Sequence, residues 1–219
     1  MKALYDHALH HPGVTYIVGL ALLFAIVARL PFLYSYLIIF LVTILADATV
    51  TGAWSPVPID SGAYTALSVV FIILGDLRYF LLAERVTRPS EPLWRTLLFS
   101  APITMVMPIT TGILTRTVDF MADTRVLYIV YESAMGVMVL SLQYLRFSKR
   151  SVDLEVHRWV REVSWLFAGL YFGWALSDVI ILAGFDFGHL LRIIPNVLYY
   201  GAFLVVVFWR APASMKALR

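Results

Sequence analysis

Asp47, Glu132, Asp178 and Asn196 are the residues through which this chain can do chemistry. Each lies inside a long apolar run, roughly six or seven residues from its end, which as helix at ~1.5 Å per residue puts all four ~9–10 Å below one surface. An ionisable group inside a bilayer is costly and is retained where it holds a ligand, an ion, a proton or an opposite charge. Three carboxylates and an amide at one level predict a pocket for a small cation, an amine or a proton. Arg192 falls just above that level and is placed to pair with a carboxylate. Tyr131 and Tyr199, with Tyr128 and Tyr200 beside them, offer aromatic walls and hydroxyls. The structural alternative is that each acid bonds a Ser, Thr or Tyr of a neighbouring helix and only fixes packing.

Asp76 lies deeper. In Leu74-Gly75-Asp76-Leu77-Arg78 it falls past the middle of its run, where it suits an inner relay for a proton or a structural anchor for Arg or Tyr side chains. Arg78 is expected to reach toward the nearer membrane surface along its own stem. His7, His10 and His11 would share a helical face and, with Asp6, Asp186 and His189, form a weak transition-metal signal against the plainer reading of a solvated terminus. Lysine occurs only at positions 2, 149 and 216, outside the runs, so no retinal Schiff base is expected. The chain has no cysteine, which excludes disulfides and thiolate chemistry.

The elements that must hold these residues are membrane helices. The chain is 61% hydrophobic over 219 residues, with a mean hydropathy of +0.82. That composition excludes a soluble globule and predicts an all-α bundle in one transmembrane domain, with the lipid bilayer as its main partner. Seven spans are expected near 13–30, 32–53, 63–83, 93–115, 125–147, 161–184 and 190–209. The first is read as a retained span, because a polar stretch precedes it and no small-residue cleavage site follows. Basic residues gather in the 84–92 and 148–160 loops and in the C-terminal tail, which predicts a cytoplasmic C-terminus and an outside N-terminus. A multi-pass protein of a cell membrane, of the bacterial inner membrane type, fits this pattern. The net charge of +3 gives no reason to expect nucleic acid. Trp54, Trp94, Trp159 and Trp209 stand at span ends as interfacial anchors.

Three local features complete the pattern. Val152, Val156, Trp159, Val160 and Val163 recur at helical spacing among charged residues, predicting a short interfacial helix near 151–160 with Ser151 as its cap. Pro102 and Pro108 interrupt the fourth span and free backbone carbonyls that Thr104, Thr110 or Thr111 can meet. Gly169 and Gly173 predict close helix packing, within the fold or in a homo-oligomer.

Gly75-Asp76, Ser177-Asp178 and Leu198-Tyr199-Tyr200-Gly201 faintly resemble lysoplasmalogenase-like membrane proteins. That resemblance covers about a third of the chain, and the family is counted at eight spans where seven are read here. It implies hydrolysis of a lipid vinyl ether, with Asp76 and Asp178 as the catalytic carboxylates. Three functions therefore stand open. The first is binding or transport of a small cation, amine or proton in an outward-facing pocket lined by Asp47, Glu132, Asp178, Asn196, Arg192, Tyr131 and Tyr199. The second is an intramembrane lipid hydrolase using Asp76 and Asp178 as acid, base or metal ligand. The third is a structural or sensory subunit. The ligand is a small molecule, an ion or a lipid, and no cofactor is specified.

Overall fold

Helix is the regular structure throughout the computed structural model, which describes residues 1–6, 36, 40, 42–43, 46–47, 49–51, 55–119, 123–150 and 153–216. The principal elements are α1 (Lys2–Tyr5), α2 (Gly62–Thr87), α3 (Leu93–Thr117), α4 (Thr124–Leu145), α5 (Leu154–Leu182), α6 (Gly188–Val197) and α7 (Phe203–Arg210). No strand occurs among the described residues. The helices α2, α3, α4 with its short extension, and α5 run 26, 25, 26 and 29 residues and are apolar enough to cross a membrane. A fifth candidate is the bent pair Gly188–Tyr200 and Phe203–Arg210. These helices fit a multi-pass membrane protein. The expected spans 13–30 and most of 32–53 lie outside the described residues.

The chain falls into two compact units, 1–5 with 79–195, and 6–78 with 196–219. Their boundary passes within α2, after Arg78.

In the first unit α4 and α5 pack against each other, with α3 against α4. The seam of α5 is strongly apolar: Val156, Trp159, Val160, Val163, Phe167, Tyr171 and Trp174 are all buried. Tyr79 stacks on Phe167 at 4.8 Å and exchanges a hydrogen bond with Ser164 at 2.7 Å. The Ser164 hydroxyl also lies 3.0 Å from Gln143 Oε1, so the polar groups of this core are partnered.

α3 is inverted relative to a water-soluble helix. Its buried residues are Thr96, Ser100, Thr104 and Thr111, while Trp94, Leu98, Phe99, Ile109 and Ile113 face outward. An outward apolar face is unfavourable in water and matched to hydrocarbon. Thr104 donates to the Ala101 carbonyl at 2.7 Å and Thr111 to the Met107 carbonyl at 2.8 Å, so these two hydroxyls are met by their own helix, while the buried Ser100 hydroxyl has no partner among the described residues. The helix runs on through Pro102 and Pro108.

Four local expectations are corrected. Residues 154–160 are the first turns of α5, continuous with the rest of that helix. The cap is Asp153, whose side chain accepts from the Glu155 amide at 3.0 Å, and Ser151 lies outside the described residues. No glycine or proline separates 154 from 168, so nothing ends a helix there. Trp159 is 2% exposed and belongs to the core, not to an interface. Arg78 is 1% exposed and folds back: its Nε donates to the Gly75 carbonyl at 2.9 Å and its Nη1 to the Tyr199 carbonyl at 3.3 Å. The π-helical turn Leu198–Ala202 presents that carbonyl, so Arg78 finds these acceptors inside the second unit with its side chain buried.

Candidate functional site

Four charged residues of the first unit converge at the end of the bundle where α4 begins and α5 finishes. α4 is capped by Asp123, whose side chain accepts from the Arg125 amide at 2.8 Å. That cap fixes Arg125 in the first turn and Glu132 seven residues on, two turns along the same face. Asp178 projects from the last turns of α5 and is fully buried.

Arg192 must be brought back over Asp178, and two glycines do this. Gly184 has φ of +89° and closes α5 with a paired turn, in which the Gly184 amide meets the Ile181 carbonyl and the Phe185 amide the Ile180 carbonyl. Gly188 then opens α6 hard against α5. A side-chain carbon there would lie 2.8 Å from the Ser177 carbonyl oxygen and 3.0 Å from the Ile181 nitrogen. Gly188→Ala is expected to cost about 1–3 kcal/mol, because backbone atoms cannot yield as a flexible side chain does. The melting temperature of the purified protein checks this; an unchanged value removes the glycine from the assembly of the site.

The result is an alternating chain of charge. Arg125 Nη1 donates to Asp178 Oδ1 at 2.5 Å, and Arg192 Nη1 donates to Asp178 Oδ2. Arg192 Nη2 donates to Glu132 Oε1 at 3.2 Å. Glu132 Oε2 is buried with no hydrogen-bond partner among the described residues. The Arg192 guanidinium also lies over the Tyr128 ring at 5.6 Å, and Tyr131 packs edge-on to Tyr171 at 6.2 Å. Two guanidinium groups therefore face two carboxylates, with one carboxylate oxygen uncommitted.

Of the remaining expected site residues, Asp47, Asn196, Tyr199 and Asp76 belong to the second unit. There Asp47 accepts from the Thr51 hydroxyl at 2.6 Å. Asp76 is fully buried and accepts from the Tyr199 hydroxyl at 3.3 Å, while the Arg78 guanidinium lies over the Tyr199 ring at 4.1 Å. His7, His10 and His11 lie outside the described residues. Among the described residues no three His, Asp or Glu side chains gather as metal ligands would.

Two features escaped the sequence reading. Arg125 has no role in the sequence pattern described above, although its seven-residue spacing from Glu132 places both on one helical face. The second is a buried ionic cluster at the opposite end of the first unit. Glu84, 1% exposed, meets Arg146 Nε at 2.6 Å and Arg150 Nη1 at 2.8 Å. Arg150 also donates to the Thr87 hydroxyl at 2.6 Å, and its own carbonyl lies 2.7 Å from His157 Nε2. Nothing local distinguishes Glu84 from a loop acid, since its partners lie more than sixty positions away.

No family model matches the chain, and comparison with curated proteins and with solved structures finds no match.

Proposed function

We propose that this is a seven-span membrane protein, N-terminus outside and C-terminus cytoplasmic, that binds a proton at Glu132 and uses it in transport or in sensing. The observation that carries the reading is the uncommitted Glu132 Oε2, buried beside the Arg192–Asp178 ion pair. A buried carboxylate oxygen without a donor is penalised as an anion. Asp178 has both oxygens held by arginines, so protonating it would break two ion pairs. Glu132 can take a proton at Oε2 while Arg192 keeps its contact with Asp178. A metal ion or an amine would have to displace a guanidinium to reach Asp178, which favours the proton among the small cations.

A protonation event at Glu132 changes the balance around Arg192. With Glu132 neutral, two arginines face one carboxylate, and the cluster gains a positive charge in a water-poor setting. Arg192 sits on α6, which leads into the proline-bearing and π-helical stretch 195–202, so its altered pairing bears on a segment already irregular.

Infrared difference spectra of the protein in lipid, taken between high and low pH, test the proposal. A carbonyl band of a protonated carboxyl group should appear on acidification, vanish in Glu132→Gln and persist in Asp47→Asn. A band that survives Glu132→Gln, or no band at all, refutes it.

A further inference from the structure

At the Glu84 end of the first unit the charges do not balance. Arg150 reaches Glu84 through both Nη atoms, and Arg146 reaches it through Nε. Both Glu84 oxygens thereby lie within ion-pair distance of a guanidinium, although only Oε1 accepts a hydrogen bond among the described residues. Arg88 is a third cation. Its guanidinium lies 5.5 Å from the centre of the Phe99 ring and has no carboxylate within ion-pair distance among the described residues. Glu91, the nearest acid in sequence, is taken by Arg95 at 3.3 Å, while its carbonyl accepts from Arg85. Burial holds the Arg150 guanidinium below its ordinary range, and the charges of Arg88 and Arg146 add to that, against the pull of Glu84.

Arg146 converges on the same ring as Arg88. Its guanidinium is 5.2 Å from the centre of Phe99, and its two Nη groups meet no protein acceptor among the described residues. Two guanidinium groups each lie within 5.5 Å of the centre of one partly exposed ring, and guanidinium donors left without a protein acceptor suit an anion. The flanking surface is apolar. Phe99 is 42% exposed and Leu98 61% exposed, on the outward face of α3. A ligand filling both parts carries a phosphate and a hydrocarbon chain.

We infer that Arg88 and Arg146, both beside Phe99, hold the phosphate of an anionic membrane lipid whose acyl chain lies along α3. A phosphodiester offers two unesterified oxygens, one for each guanidinium. Its charge offsets the excess that Glu84 leaves. Phosphatidylcholine has the same phosphate, but its own ammonium opposes binding beside three arginines.

The full-length protein in nanodiscs tests this, with phosphatidylcholine alone or mixed with phosphatidylglycerol. Retained lipid and thermal stability are read together. Phosphatidylglycerol should be retained preferentially and should stabilise the wild type. Its retention should fall roughly fivefold in Arg88→Gln, the value of one interfacial arginine charge. Arg158→Gln removes the same charge from an exposed position on α5 and should leave retention unchanged. Melting of Arg88→Gln in phosphatidylcholine alone reports that it folds, since Arg88 holds no ion pair. Equal losses in the two variants would reduce the effect to diffuse charge and overturn the site. So would equal retention of both lipids. Inorganic phosphate in phosphatidylcholine discs that reproduces the full stabilisation would assign the receptor to free phosphate and overturn the lipid.

Discussion

Asp178→Asn is expected to lower stability by about 3–5 kcal/mol, the usual consequence of removing one partner from a buried ion pair. At roughly 2–4 °C per kcal/mol for a chain of this length, the melting temperature should fall by about 10 °C. Asp178 is fully buried and accepts from both Arg125 and Arg192. An amide cannot neutralise either, so two guanidinium groups are left with Glu132 alone. The two do not suffer equally. Arg125 is one-third exposed and can turn to water, whereas Arg192 is 14% exposed and is held by α6. Arg125→Gln added to Asp178→Asn restores one cation to one carboxylate, Arg192 to Glu132, and should recover part of the loss. Thermal melts of the two single variants and the double variant decide the matter. A single-variant loss below ~1 kcal/mol, the range of exposed ion pairs, would mean that Asp178 is not holding the end of the bundle together.

The comparison between Asp178 and Glu132 separates structure from function. Both are buried acids on adjacent helices, yet Asp178 has both oxygens committed and Glu132 has one. Glu132→Gln keeps the Oε1 contact with Arg192 and loses only the capacity to ionise. Its effect on stability should therefore be clearly smaller than that of Asp178→Asn, while its effect on the pH-dependent infrared signal should be complete.

Much of the described architecture was legible because long apolar runs can be satisfied in only one way. α2 and α3 each contain an expected span and α4 and α5 cover all but the last two residues of theirs, since a run of that length with few charges must be helical to close its own backbone hydrogen bonds in hydrocarbon. Arg192 pairs with Asp178 and Glu132, which were read at one depth, whereas Asp47 and Asn196, read at that same depth, belong to the second unit, so depth alone does not say which residues meet. The failures share a cause. Periodicity states which residues lie on one face but not what covers that face. Trp159 with its valines has the spacing of an interfacial helix and is instead the core-facing side of α5. Arg78 has a stem long enough to reach a surface and instead finds the Gly75 and Tyr199 carbonyls, the latter 121 positions away. Long-range acceptors of that kind leave no trace in local sequence.

Glu84→Gln makes the same point as a prediction. In the sequence Glu84 opens a basic turn and reads as a solvated acid. In the structure it is the anion for Arg146 and Arg150, so its neutralisation should cost about 3–5 kcal/mol, comparable to the loss at Asp178. The outcome should also depend on the bilayer. The variant leaves Arg88, Arg146 and Arg150 without Glu84, which strengthens the attraction for an anionic headgroup at Phe99. Phosphatidylglycerol should therefore rescue Glu84→Gln more than it stabilises the wild type, and phosphatidylcholine should not. Adding Arg150→Gln removes one excess cation and should both restore stability and shrink that lipid dependence. Melts of the single and double variants in the two lipids measure each effect. A loss that is large but identical in both bilayers would keep Glu84 as a structural anion and leave the neighbouring arginines without a lipid.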